Sequence, residues 1–205
     1  MSDRRYQTAA VLVLVKMGIT LLMVVFLIFM AAAKSWTIGP ALFRGFVLVV
    51  ASLIEVYVLF TLRHLLWDRY DFHQTDVIIP ILACAGVVLE ILNQSTEVAQ
   101  VLSPGQEGKV IATRILFIII PWGVIIIVFA AGLLKLPFSE KSLLRPYAFL
   151  NLAAGIILVA SVLTLASPVI GLFLFPFLAL AGIGSDILLA LTFLRSRETE
   201  QVEFV

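Results

Sequence analysis

The residues of this sequence able to do chemistry are few, and the informative ones sit among apolar neighbours. Asp186 lies in "PFLALAGIGSDILLALTFLRSR" (Pro176–Arg197), more than two helical turns before the flanking arginines. A charge at the centre of a lipid-embedded helix costs about 2.5 to 3.5 kcal/mol on insertion scales, so such groups pair, face the bundle interior or line a polar cavity. Lys16, Glu55, Glu90 and Arg114 also lie in apolar segments, and Asn151 adds an amide in "LNLAAG". Between them these six residues can form ion pairs, carry a proton or hold an ionic ligand. Two carboxylates close together disfavour double ionisation, the condition that a proton-coupled site requires.

Other chemistry is poorly supplied. Cys84 is the only cysteine and lies in an apolar run, while both histidines fall in "RHLLWDRYDFHQTD", so no Cys–His or Ser–His–Asp set can assemble. His64 and Asp68 stand i to i+4, as two ligands on one helical face would. An amphipathic aromatic segment anchored at the headgroups by Trp67, Tyr70 and Phe72 accounts for the same residues. No cofactor or bound metal is called for, and catalysis has little support.

The elements that must position these groups are membrane helices. The 205 residues are 62% hydrophobic and 13% charged, with a mean hydropathy of +1.14, far from the roughly 25% charged residues of soluble domains. A net charge of +1 excludes the basic face that a nucleic-acid partner needs. Apolar runs of about 20 residues cross the hydrocarbon layer as helices, and six are expected at 10–33, 42–63, 76–95, 110–134, 146–166 and 170–194. The fold class is thus an all-α membrane protein with one membrane domain over 1–205. The first run is too long for a signal-peptide core and reads as a spanning helix. No segment alternates as a membrane barrel strand would.

Cations set the expected orientation, since cytoplasmic loops keep the positive excess. Arg4, Arg5, Arg63, Arg69, Lys135, Lys141, Arg145, Arg195 and Arg197 fall on the side of the termini, against Lys34, Arg44, Lys109 and Arg114 on the other. Both termini are therefore expected in the cytoplasm. The tail "RSRETEQVEFV" reads as disordered, with a terminal "EFV" too short to interpret. Asn93-Gln94-Ser95 reads as a polar helix end.

"PILACAGVVLEIL" (Pro80–Leu92) matches "PFLALAGIGSDIL" (Pro176–Leu188) without a gap, and Glu90 aligns with Asp186. "LFRGF" at Leu42 echoes "LLRPY" at Leu143, and the first and fourth helices each carry one cation, Lys16 and Arg114. Two halves of three helices, about 1–95 and 109–194, would have opposite membrane topology, as in transporters built from inverted repeats. This predicts an inner pair, Lys16 with Asp186, and an outer pair, Arg114 with Glu90. Glu55 has no counterpart in the second half and is expected beside Asp186 or turned toward Arg63 and His64, with Asn151 close by. Pro121 and Gly123 predict a kink in the fourth helix. Ala83, Gly86, Ala179 and Gly182 predict that helices 3 and 6 cross.

The order of "FRGFVLVVASLIEVYVLFTLRHLL", "LLKLPFSEKSLLRPYAFLNLAAGIILVASVL" and "LALAGIGSDILLALTFLRSR" resembles a bacterial family of uncharacterised six-helix membrane proteins. The resemblance covers helices 2, 5 and 6, and implies an inner-membrane location without an activity. Two functions follow from the residues. The leading one is a carrier or membrane-embedded binding protein for a small or ionisable solute, with the lipid bilayer as its other partner. The alternative is a non-catalytic scaffold or accessory subunit, in which the charges lock the bundle and lipid-facing surfaces dock a protein partner or a second copy.

Overall fold

The computed structural model of the chain describes residues 2–33, 37–102, 105–137 and 142–202, and these form an all-helical bundle. Lys34, Lys141 and the terminal "EFV" lie outside the described residues. Six helices are long and apolar enough to cross a membrane. They are longer than the hydrophobic runs alone indicate: α1 Ser2–Ala32, α2 Ile38–Tyr70, α3 Ile78–Leu102, and a composite α4 of Glu107–Arg114, Ile115–Ile119 and Ile120–Leu133. The fifth, α5, is Leu144–Ala160 continued by a 3-10 turn over Ser161–Leu165, and α6 is Pro168–Val202. Of the tail expected to be disordered, residues 195–202 instead prolong α6. Helix propensity does not stop at the hydrocarbon boundary, so the polar ends of α2, α3 and α6 stay helical until a specific breaker intervenes.

Those breakers can be named. Asp71 takes a left-handed conformation (φ 47°) and its N–H returns to the Trp67 carbonyl, which ends α2. Helix α3 stops before the Ser-Pro-Gly sequence at 103–105, where Gly105 adopts φ 91°. The irregularity at Pro121 is a π-helical turn: Ile120 donates to the Ile115 carbonyl five residues back, and Pro121, which has no N–H to give, follows at once. At the end of α5 the Ser161 and Thr164 hydroxyls bond back to the carbonyls of Leu158 and Ser161, both at 2.6 Å, beside the tightened 3-10 turn.

The helices form a closed ring in which each packs mainly on its sequence neighbours and α6 returns to α1. The expected crossing of α3 with α6 is therefore not a principal contact; α3 lies between α2 and α4, and α6 between α5 and α1. A Cβ on Gly182 would meet nothing within 4 Å. The tight crossing instead joins α4 to α5, where a Cβ on Gly123 would sit 2.9 Å from the Gly155 carbonyl oxygen and one on Gly155 2.9 Å from that of Gly123. Gly123, expected to loosen its own helix, serves backbone contact between two. Without a hydrophobic drive between helices in lipid, such close packing is a main source of association.

Packing is uneven along the bundle. At the end bearing the termini, Tyr6, Val13, Leu62, Leu66, Phe129, Leu144 and Phe193 form one buried core, to which α3 adds Ile79 and Leu82, so that all six helices reach it. Tyr6 and Phe193 stack with ring centroids 6.3 Å apart, and Phe129 meets Tyr147 edge-on at 6.3 Å. Toward the opposite end this core gives way to a cavity.

Candidate functional site: a charged cavity inside the ring

The cavity has a volume of about 590 Å³ and is partly open, and all six helices contribute to its wall. Its lining is mostly aliphatic, with Trp122, Tyr147 and Phe175 as aromatic members. The ring arrangement explains it. Six helices around one axis leave a central space that side chains of ordinary size fill only where large residues converge, as they do in the core below.

On the floor of the cavity, next to that core, three charged side chains from three helices meet. Lys16 Nζ from α1 lies 2.9 Å from Asp186 Oδ1 on α6 and 3.7 Å from Glu55 Oε2 on α2. The first is a charge-assisted hydrogen bond; the second is a looser ion contact. Lys16 and Asp186 keep only 15% and 16% of their side-chain surface exposed, whereas Glu55 keeps 36%, so Glu55 is the group that faces open space. One ammonium thus serves two carboxylates. The expected Lys16–Asp186 pair is present, and of the two placements considered for Glu55, that beside Asp186 holds. Asn151 lines the same floor, and its amide donates to the Tyr147 carbonyl at 2.9 Å, one turn back on α5.

The other expected pair is rearranged. Glu90 and Arg114 both line the cavity, but Glu90 accepts a hydrogen bond from Gln94, and Arg114 donates to Asn93 Oδ1 at 2.5 Å and lies 3.8 Å from Glu97. Glu97 in turn takes a hydrogen-bonded ion pair from Arg44, the second of its oxygens at 2.5 Å. The reason is helical geometry: α3 continues to Leu102 and brings Glu90, Asn93, Gln94 and Glu97 onto one face at i, i+3, i+4 and i+7. The outer network therefore balances two arginines with two glutamates. Glu97 is the residue that sequence reasoning missed, because it fell in a segment read as a linker; the same i, i+4, i+7 spacing was the signal for it.

The terminal end holds a separate polar cluster. Asp68 accepts from the Tyr6 hydroxyl at 3.3 Å, and His64 packs edge-on against Trp67, so the i to i+4 pair has other partners. Arg63 stacks on Trp67, 4.3 Å from the ring centroid, and lies 3.6 Å from Asp76, which also accepts the Trp67 indole N–H. Of the three residues read as headgroup anchors, Phe72 is buried in the core while Trp67 and Tyr70 remain part-exposed. His73 lies outside the spans between Asp76 (3.1 Å) and Asp71 (3.2 Å), and hydrogen bonds to these two raise its pKa above the usual imidazole value. Partial burial pushes the Asp76 carboxyl up, but the Trp67 N–H, His73 and Arg63 outweigh it and hold it below the ordinary carboxylate value. Arg69 donates to the Ser196 carbonyl and ties the end of α2 to α6. Among the described residues no group of three His, Cys, Asp or Glu side chains is placed to hold a metal ion.

The arrangement can hold a small molecule against a charged floor, exchange the partners of an ammonium, and exclude the aqueous phase on the terminal side. Compared with protein families, with curated proteins and with solved structures, the chain finds no match.

Proposed function

We propose that the protein is a small carrier or membrane-embedded binding protein for a small or ionisable solute, held in an inner (plasma) membrane with both termini in the cytoplasm. One observation carries this reading: a cavity of about 590 Å³ inside the helix ring whose floor bears Lys16, Glu55 and Asp186. Its volume falls within the roughly 300 to 1,000 Å³ of ligand pockets. A bundle selected only for rigidity gains nothing from leaving charged side chains beside open space. The two-halves reading belongs to the same proposal: a repeat relating α1, α2 and α3 to α4, α5 and α6 needs the contact of α3 with α4 to be matched by one of α6 with α1, which any closed ring of six sequential helices provides.

The scaffold reading draws its support from the outer network, where Arg44 and Arg114 both reach Glu97, Arg114 also bonds Asn93, and Gln94 bonds Glu90, so that polar contacts join α2, α3 and α4. Cavity hydration separates the two. With Cys84 replaced by Ala, cysteines introduced as Ser52→Cys and Ser185→Cys, both on the cavity wall, should react in detergent with a small water-soluble thiol reagent. Ala148→Cys, in the fully buried core, supplies the unreactive reference. Wall cysteines as slow as that reference would mean a dry interior and favour the scaffold.

A further inference from the structure

The charges around the cavity, taken helix by helix, point to one class of solute. At the outer end Arg44 and Arg114 both reach Glu97, and Glu90, bonded by Gln94, completes an even set of two cations and two anions. On the floor one ammonium faces two carboxylates, which leaves one negative charge uncompensated. That charge is not shared evenly. Lys16 sits 0.8 Å closer to Asp186 than to Glu55, as 2.9 Å against 3.7 Å, and Glu55 is the most exposed of the three.

We propose that the cavity binds a lipophilic organic monocation, with Glu55 as its counter-ion and the aliphatic and aromatic wall around its apolar body. This assignment rests on the binding-site reading above and specifies its ligand. The wall chemistry selects against the alternatives. A bare divalent ion demands about six or more oxygen ligands, whereas the floor offers two carboxylates, one already held by Lys16, and the Asn151 amide. An anion would meet the excess negative charge. A neutral solute would leave two carboxylates sharing the single ammonium of Lys16. A monocation removes that charge, and Trp122, Tyr147 and Phe175 present ring faces or edges in the same cavity, of which faces attract cations.

The test is an equilibrium titration of the full chain in lipid nanodiscs, with empty nanodiscs subtracted, using two ions of the same shape and opposite charge: tetraphenylphosphonium and tetraphenylborate. Saturable binding of the cation at least tenfold tighter than the anion is expected. Glu55→Gln should weaken the cation by tenfold or more while melting near the parent, and Asp186→Asn should weaken it less. Equal binding of both ions, preference for the anion, or a Glu55→Gln variant with parental cation affinity overturns the assignment. Neither ion binding while Ser52→Cys stays reactive overturns the cation assignment alone; neither binding with Ser52→Cys unreactive removes the binding-site reading beneath it.

Discussion

Removing the ammonium of Lys16 should harm the protein far more than removing either acid, and the two acids should differ. Contacts of 2.9 and 3.7 Å to one nitrogen correspond to gross attractions of about 6 and 4.5 kcal/mol at an effective dielectric constant of 20. The two contacted oxygens cannot be farther apart than the sum of those distances, about 6.6 Å, so their mutual repulsion is at least about 2.5 kcal/mol on the same scale. Lys16→Met loses both attractions and leaves the repulsion. Residual exposure caps the loss, and stripping a buried pair of one partner costs about 3 to 5 kcal/mol. Asp186→Asn loses the stronger attraction and gains relief from repulsion, with Lys16 still held by Glu55, for a cost of about 1 to 2 kcal/mol after desolvation is returned. Glu55→Gln loses the weaker contact, removes the excess charge and should change stability by less than about 1 kcal/mol in either sign. Two charges removed together, as Lys16→Met with Asp186→Leu, still leave Glu55 alone; only the triple variant with Glu55→Gln should approach the parent. Equilibrium unfolding of the purified variants in one detergent gives the order directly. A Glu55→Gln variant as unstable as Lys16→Met, or all three singles within 0.5 kcal/mol of the parent, would refute a floor organised around Lys16.

Three further outcomes follow from the structure. Gly155→Ala places a methyl group 2.7 Å from Ile127 Cγ1 and 2.9 Å from the Gly123 carbonyl oxygen, and should cost about 1 to 3 kcal/mol by overpacking; Gly182→Ala, facing open space, should stay within about 0.5 kcal/mol in the same melts, and equal effects would contradict the α4–α5 crossing. His73 has its pKa raised by Asp76 and Asp71, so its contribution is fully present below the ordinary imidazole value of about 6.5 and is lost as pH rises through the higher folded value; melting temperatures of parent and His73→Gln should differ more at pH 5.5 than at pH 9, and a pH-independent difference would rule this out. Reporter fusions at Val205 and Gly105 should report opposite sides of the membrane, because three helices separate them, and the same side for both would break the six-span topology.

The number and placement of the helices were legible because each span is one long apolar run, and lipid leaves a backbone no alternative but internal hydrogen bonding. Helix ends were less legible. The sequence marks where hydrophobicity stops, while Asp71, Gly105 and the continued helix at Glu97 decide where the backbone turns. At the site, Lys16, Asp186 and Glu55 could be brought together from depth alone, since charges at one level in lipid have few partners to choose from. Arg114 and Glu90 also share a depth, yet Gln94 and Glu97 were closer partners along the same helical face. The α3–α6 crossing failed for another reason. Small residues permit close approach on any face, and a ring of sequential neighbours placed Gly123 against Gly155 and left Gly182 looking into open space.

A charged cavity closed by packed side chains on the side of the termini should admit water from the opposite side alone. Sidedness of access is read in oriented proteoliposomes, using a membrane-impermeant thiol reagent on Ser52→Cys in the Cys84→Ala background. The structure places Ser52 on the cavity wall and the sealed core of Tyr6, Leu62, Leu66, Phe129 and Phe193 between it and the termini. Labelling should proceed from the side opposite the termini and be slow from the terminal side. No labelling from either side, or labelling chiefly from the terminal side, would contradict the account.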